Sequence, residues 1–317
     1  MVTTLSSRCY ATTTPVTSPK GGRSSLASSA CQFTHWGELI QGPVKDQGEI
    51  VTGLITLPRY DMQCVATFTP NSGPLVVDPG WCCKAHRAAL GVLDITGNSY
   101  LGGCLTVRSN IPFGCGAGAT TADVTATIQA VSRAVDWDMS PRQVQQIDWE
   151  IERAADPLAL IADGEVLLYG SRVGRTLQRL SHRLPAMRCL AFNPAPGQEV
   201  LTCEVASKTH YRLSEVNRFR SILSRAIAAI ELGDVNELAA AATQSARLNQ
   251  DRVPIVDFDI NVDRCFKAGA AGMSVSHSGT VAAALFDPML PDVQRRIETL
   301  ADAFVASGYS DVSVFDV

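Results

Sequence analysis

The arrangement of short strand-like and helical stretches along the chain predicts an α+β fold in two halves. Three observations carry this. β-Like runs crowd the first third, helical patterns with legible caps fill the middle, and a second set of helices and strands follows a boundary near residue 187. Strands and helices mix without strict alternation, which argues against a doubly wound parallel sheet. The chain has 317 residues, 46% of them hydrophobic and only 18% charged, enough to bury two modest cores.

In chain order, residues 1–30 come first. They are rich in Ser, Thr, Gly and Pro and carry no acid, so they read as a disordered tail. A transit peptide shares that composition but needs an amphipathic helix, which is not evident there. Strands are expected at 49–57, 62–70 and 103–109, separated by turn residues such as "PNSGP". A helix is expected from about Ala119 to Ala134. The next starts at Ser140-Pro141-Arg142-Gln143, a capping box with Pro in the first turn, and is expected to end near Ala155, before Pro157. Strands at 165–170 and 187–194 flank the boundary between expected domains 31–186 and 187–317. Helices at 214–232 and 234–249 follow, divided by Gly233 and capped by Asp234 with Glu237. A third apolar segment (257–268) precedes two strands, "GMSVS" and "TVAAALF", joined by "HSG".

Composition excludes several classes of function. A net charge of −4 with acids and bases mixed gives no electrostatic footprint for nucleic acid. No apolar run approaches the ~20 residues of a membrane-spanning helix. The ten cysteines make no C-x-x-C pair and the five histidines no metal-ligand spacing, so reduced thiols in a cytoplasmic protein are expected.

The stretch that carries chemistry is "IPFGCGAGATTADV" at 111–124, with Gly114, Gly116 and Gly118 opening a helix. A helix start has four unpaired N–H groups and the positive end of a dipole, and glycines let the backbone close on a phosphate. A plain strand-to-helix turn is the alternative. A dinucleotide fingerprint would need a strand running into the first glycine, but "RSNIP" intervenes. A Walker loop would need G-K-[ST], which is absent.

The loop from Pro112 to Thr121 resembles the P-x-x-x-G-x-G-S-S-A loop of the GHMP kinases, with Ala119 and Thr120 at the two serines. "HWGELIQG" (35–42), "EIERAAD" (150–156) and "GMSVSHSGTVAAALF" (272–286) resemble that family's other motifs, in the same order. Together the four blocks, from about residue 30 to 290, are similar to the L-threonine kinases of cobalamin side-chain synthesis. Two departures stand out: Trp36 precedes G-E-L, and one extra residue separates Glu152 from Asp156.

The resemblance implies an N-terminal domain like the second domain of ribosomal protein S5, a ferredoxin-like C-terminal domain, and an active site between them. It implies ATP on Pro112, Gly114, Gly116, Ala117, Gly118, Ala119, Thr120 and Thr121. Mg²⁺ would be held by Thr120 and Glu152, and Asp156 would orient or deprotonate the acceptor. Glu38, His277, Ser278 and Gly279 would bind the substrate. The acceptor would be a hydroxylated amino acid, L-threonine first, with homoserine and serine as alternatives. A non-catalytic nucleotide sensor is the rival of another class. No nucleic-acid or membrane partner is implied, and a homodimer is admitted.

Overall fold

The computed structural model describes residues 27–162, 164–198 and 211–317. Ten strands form one sheet: β1 (Ser28–Asp46), β2 (Glu49–Asn71), β3 (Leu75–Asp78), β4 (Gly102–Ser109), β5 (Val166–Gly170), β6 (Arg175–Leu180), β7 (Arg188–Asn193), β8 (Gly272–Val275), β9 (Ala282–Phe286) and β10 (Ser310–Asp316). The main order is β10-β7-β9-β8-β1-β2-β4-β3, with β5 and β6 branching from β2. All neighbours are antiparallel except β3 and β4.

Eight helices are described: α1 (Cys83–Ile95), α2 (Ala119–Ala134), α3 (Pro141–Glu152), α4 (Leu158–Ile161), α5 (Leu213–Leu232), α6 (Val235–Leu248), α7 (Phe258–Ala268) and α8 (Val293–Ala306). One apolar core lies between the β1–β2–β4 region and helices α1 to α6. A second lies between β7–β9 and helices α7 and α8. The two sheet halves meet at a single β1–β8 pairing, Glu38 opposite Val275.

Several expected elements take a different form. Of the expected tail, residues 1–26 lie outside the described residues, and Ser28 to Ala30 already pair with Phe68 to Ala66 in β2. The runs at 49–57 and 62–70 belong to one strand, β2. The turn-like "PRYD" between them is a bulge: register jumps from Phe33–Gln63 to Thr34–Arg59, which accommodates Pro58 inside a long strand. Helix α3 stops at Glu152 and not near Ala155, because Arg153 adopts a left-handed conformation (φ 59°) with its guanidinium over the Trp149 ring.

The caps form as the sequence implies. The Ser140 side chain accepts from Gln143 N–H, and Gln143 reciprocates. Gly233 closes α5 at φ 69°, and the Asp234 side chain accepts from Glu237 N–H to open α6. Strands β1, β3, β6 and β10 and helices α1, α4 and α8 carried no expectation. Helix α1 has few large apolar residues, and alanines (Ala85, Ala88, Ala89) fill its buried face.

Candidate active site

The glycine loop is shaped by backbone geometry. Gly114, Gly116 and Gly118 all have positive φ (76°, 74° and 70°), and such alternation curls successive N–H groups into an anion-binding concavity. A side chain on Gly116 would collide with the Ser278 hydroxyl, and one on Gly118 with the His35 ring and the Thr34 hydroxyl. Gly118 opens α2 with no side-chain cap, and the first turn carries no acid. No side chain caps the N–H groups of that turn, while Asp123, Glu152 and Asp156 line the same cavity.

A cavity of about 410 Å³ lies over this helix start. It gathers Pro112, Gly114, Gly116 to Thr121, Glu152, Asp156, His277 and Ser278 from three separate stretches of chain. Glu38 lies behind His277 and not on the cavity wall, and Gly279 turns away to pack against Val253. Trp81 and Phe113, exposed by 62% and 63%, meet edge to face (5.4 Å between centroids) at the cavity. Cys115 is buried and donates to the Pro112 carbonyl.

The acidic residues differ sharply in setting. Glu152, at the end of α3, accepts from Lys84 Nζ at 2.6 Å through Oε2, while its Oε1 is buried without a hydrogen-bond partner among the described residues. Burial raises the Glu152 pKa, Lys84 opposes the rise and Asp156 adds to it. Asp148, one helical turn back, is fully buried, and burial with the charges of Glu152 and Asp156 pushes its pKa well up. Asp123, on α2, is raised to about 6 by burial, partly offset by a hydrogen bond with Cys64.

Asp156 is held differently. The backbone turn after Arg153 takes it off the helix, and Gln145 Nε2 donates to its carbonyl at 3.0 Å. His35 Nε2 donates to its Oδ2 at 3.0 Å. His35 Nδ1 lies 3.7 Å from Glu38 Oε1, and His277 Nδ1 lies 3.4 Å from Glu38 Oε1 and 3.8 Å from Asp156 Oδ1. Burial would depress His35, but the charge and hydrogen bond of Asp156, with Glu38 behind, lift its pKa to about 9. Burial would raise Asp156, but the charges of His35 and His277 outweigh it and hold the carboxyl below its usual range. Two carboxylates thus face two imidazoles in alternation.

The strand that supplies His35 and Glu38 is bulged between them. Gly37 makes the bulge possible: its φ is 85°, and a side chain there would strike the Ser276 backbone. The 276–280 loop then clamps the glycine loop, with Thr280 Oγ1 donating to the Cys115 carbonyl at 2.5 Å. Beyond His277 a second, small pocket is lined by Gln41, Thr52, Ser171, Arg172, Tyr211, Asn249 and Arg252. Arg252 forks onto Glu215 at 2.7 and 2.8 Å and lies 4.4 Å over the Tyr211 ring.

Sequence reasoning singled out neither His35, Lys84 and Trp81 nor the Arg172–Arg252 pair. His35 sat inside the "HWGELIQG" block, and its place beside the bulge glycine was the available signal. The two arginines belong to no motif, and only the tertiary fold relates them to His277.

Two family profiles match the chain: the GHMP kinases N terminal domain over residues 83–164, and the GHMP kinases C terminal domain over residues 226–303. Together they span half of the chain, which belongs to the GHMP kinase family: it is a phosphotransferase with an alcohol group as acceptor. Among solved structures the chain is similar to a homoserine kinase from Cytophaga hutchinsonii (15% identity, TM-score 0.65, covering 91% of this chain and 94% of that one). It is also similar to L. major mevalonate kinase in complex with R-mevalonate (18%, 0.65, 96% and 98%). Streptococcus pneumoniae phosphomevalonate kinase is a third neighbour (12%, 0.63, 92% and 99%). At such identities the likeness shows the fold. No curated protein sequence matches. No helix among the described residues is long and apolar enough to cross a membrane.

Proposed function

We propose that the chain transfers the γ-phosphoryl group of ATP to the side-chain hydroxyl of an amino acid, with L-threonine the first choice. One observation carries the choice of acceptor: the charges on the two sides of His277 have opposite sign. On one side stand Glu38 and Asp156, and Glu38 Oε2 is buried without a hydrogen-bond partner among the described residues. On the other side the small pocket presents Arg172 and Arg252, the latter already paired with Glu215. A zwitterion laid across His277 puts its ammonium at Asp156, the carboxylate on the cavity wall with Glu38 behind it, and its carboxylate toward the guanidiniums. Mevalonate has a carboxylate but no ammonium, and a sugar has neither.

Residues Pro112 to Thr121 receive the triphosphate through backbone N–H groups and the start of α2. Trp81 and Phe113 offer aromatic faces to the base. The residues at the loop fit a divalent cation: Glu152 has a buried oxygen with spare capacity, and Thr120 brings a hydroxyl at the helix start. When bound there, Mg²⁺ neutralises phosphate charge. The acceptor hydroxyl oxygen bonds to the γ-phosphorus, the bond from that phosphorus to the β–γ bridging oxygen breaks with its electrons leaving on ADP, and the hydroxyl proton passes to Asp156. Asp156 suits this because its neighbours keep it ionised. Ser278 and Gly279 shape the loop that carries His277 beside the acceptor.

ADP release with mass spectrometry of the product, run across L-threonine, L-serine, L-homoserine, R-mevalonate and hexoses, tests the reading. L-Threonine is expected to lead. One methyl in an apolar pocket discriminates by only roughly 10–200-fold, so L-serine is expected as a slow substrate. Preference for a sugar, or for a hydroxy acid without an amino group, would defeat the amino-acid assignment.

A further inference from the structure

We propose that His35 is a positioning residue that ties the nucleotide loop to the acceptor carboxylate, so that the seat of the loop and the orientation of Asp156 for proton transfer are coupled. The proposal rests on the kinase assignment above and deepens its acceptor side.

Three contacts place His35 between the two halves of the chemistry. Its ring is fully buried, and Nε2 donates to Asp156 Oδ2 at 3.0 Å. The edge of the same ring fills the space where Gly118 would carry a side chain. The preceding residue, Thr34, donates its hydroxyl to the Ala117 carbonyl. Gly118 is the left-handed residue that opens α2, so a shift of residues 117–119 reaches an aromatic ring with no empty space around it. The ring passes that shift on through its hydrogen bond to Asp156.

The other charged or titratable groups around Asp156 do not touch the loop in this way. Glu38 on β1 and His277 in the 276–280 loop lie behind and beside it. Asp148 and Glu152 on α3 and Tyr169 on β5 act on it by charge. The Asp156 backbone is fixed separately by Gln145, and its carboxyl is oriented by two donors, the Thr121 side chain from the loop itself and His35 Nε2, of which His35 is the ring that also packs on Gly118. An imidazole has the right shape for this role, being a rigid plate whose Cδ2–Nε2 edge packs on Gly118 while the same Nε2 donates to Asp156.

The test combines nitrogen-15 histidine resonances of the full chain with steady-state kinetics. Adding a non-hydrolysable ATP analogue with Mg²⁺ is expected to shift the His35 ring signals, and Gly118→Ala to shift them before any nucleotide is added. In His35→Met, kcat is expected to fall by about 100-fold, the loss typical of a misplaced reacting group, with KM for ATP within about twofold. His35→Gln, whose amide nitrogen sits near the Nε2 position, is expected to recover about tenfold of that loss. Ring signals that ignore a bound analogue, or a methionine variant with wild-type kcat, would overturn the proposal, as would a glutamine variant no better than methionine. Should His35→Met fail to fold, the glutamine and Gly118→Ala arms decide. An enzyme that binds the analogue but phosphorylates no hydroxy amino acid defeats the acceptor assignment instead, and the nucleotide-induced ring shift still decides the role of His35.

Discussion

The glycine loop and the cluster of His35, Glu38, Asp156 and His277 pack against each other beside one cavity and are built on opposite plans. The loop is almost all backbone: three left-handed glycines and an uncapped helix start, within ten consecutive residues. The cluster is all side chain: two histidines and two carboxylates, drawn from three stretches, with His35, Glu38 and Asp156 buried and His277 partly exposed. Backbone dipoles carry no titrating proton and recognise charge without reading the molecule behind it. Buried ionisable pairs titrate and have direction. The difference suits a common phosphate donor on one side and a particular acceptor on the other.

The largest expected effect breaks only the side-chain half. Asp156→Asn should lower kcat by roughly 10²–10⁴, the usual share of general base catalysis, while ATP affinity in a fluorescent-nucleotide titration stays unchanged. Turnover within a fewfold of wild type would remove Asp156 from the chemistry. Next in size is Gly116→Val, which disturbs both halves because the new side chain would run into Ser278. Strain of about 1–3 kcal/mol at a left-handed position predicts ATP binding weaker by ~5–150-fold. Unaltered affinity with an intact far-UV spectrum would take the loop out of the nucleotide site.

Glu152→Gln sharpens the comparison at the border of the two halves. It keeps shape, removes charge and frees Lys84, so the Mg²⁺ concentration for half-maximal rate should rise by about tenfold. An unmoved Mg²⁺ dependence would leave Glu152 as the partner of Lys84 alone.

The smallest effect concerns pH. The folded pKa of His35 is raised to about 9, so the folded state holds a proton that the unfolded state releases near 6.5. Its contribution is fully present below about pH 6.5 and is lost as pH rises toward 9. Denaturant unfolding should show stability falling by on the order of 2–3 kcal/mol across that window, and His35→Gln should lack that part of the slope. Binding of nucleotide to the backbone loop should vary less over the same range. Equal slopes for wild type and His35→Gln would mean the buried pair does not titrate as the geometry requires.

Much of the local structure was legible because its causes are local. Gly233 with Asp234, and Ser140 with Gln143, each solve a helix-end problem within four residues. The bulge in β2 was not legible, since "PRYD" suits a turn equally well, and only pairing with β1 makes it a strand. The end of α3 also escaped: Pro157 suggested a stop, but the Arg153 conformation placed it earlier. The turn after Arg153 brings Asp156 within reach of His35.

The sequence by itself determined the glycine loop at a helix start, the α+β character and the family, because positive-φ glycines, caps and ordered motifs are properties of neighbouring residues. Tertiary structure alone decided which charges meet. Asp156 and His35 are 121 positions apart, and Glu38 and His277 are 239 apart. They come within 3.0 and 3.4 Å only because β1 bulges at Gly37 and joins β8 at one pairing. Coulomb and desolvation energies depend on separation in space and on burial, and neither is written in the spacing of residues along the chain.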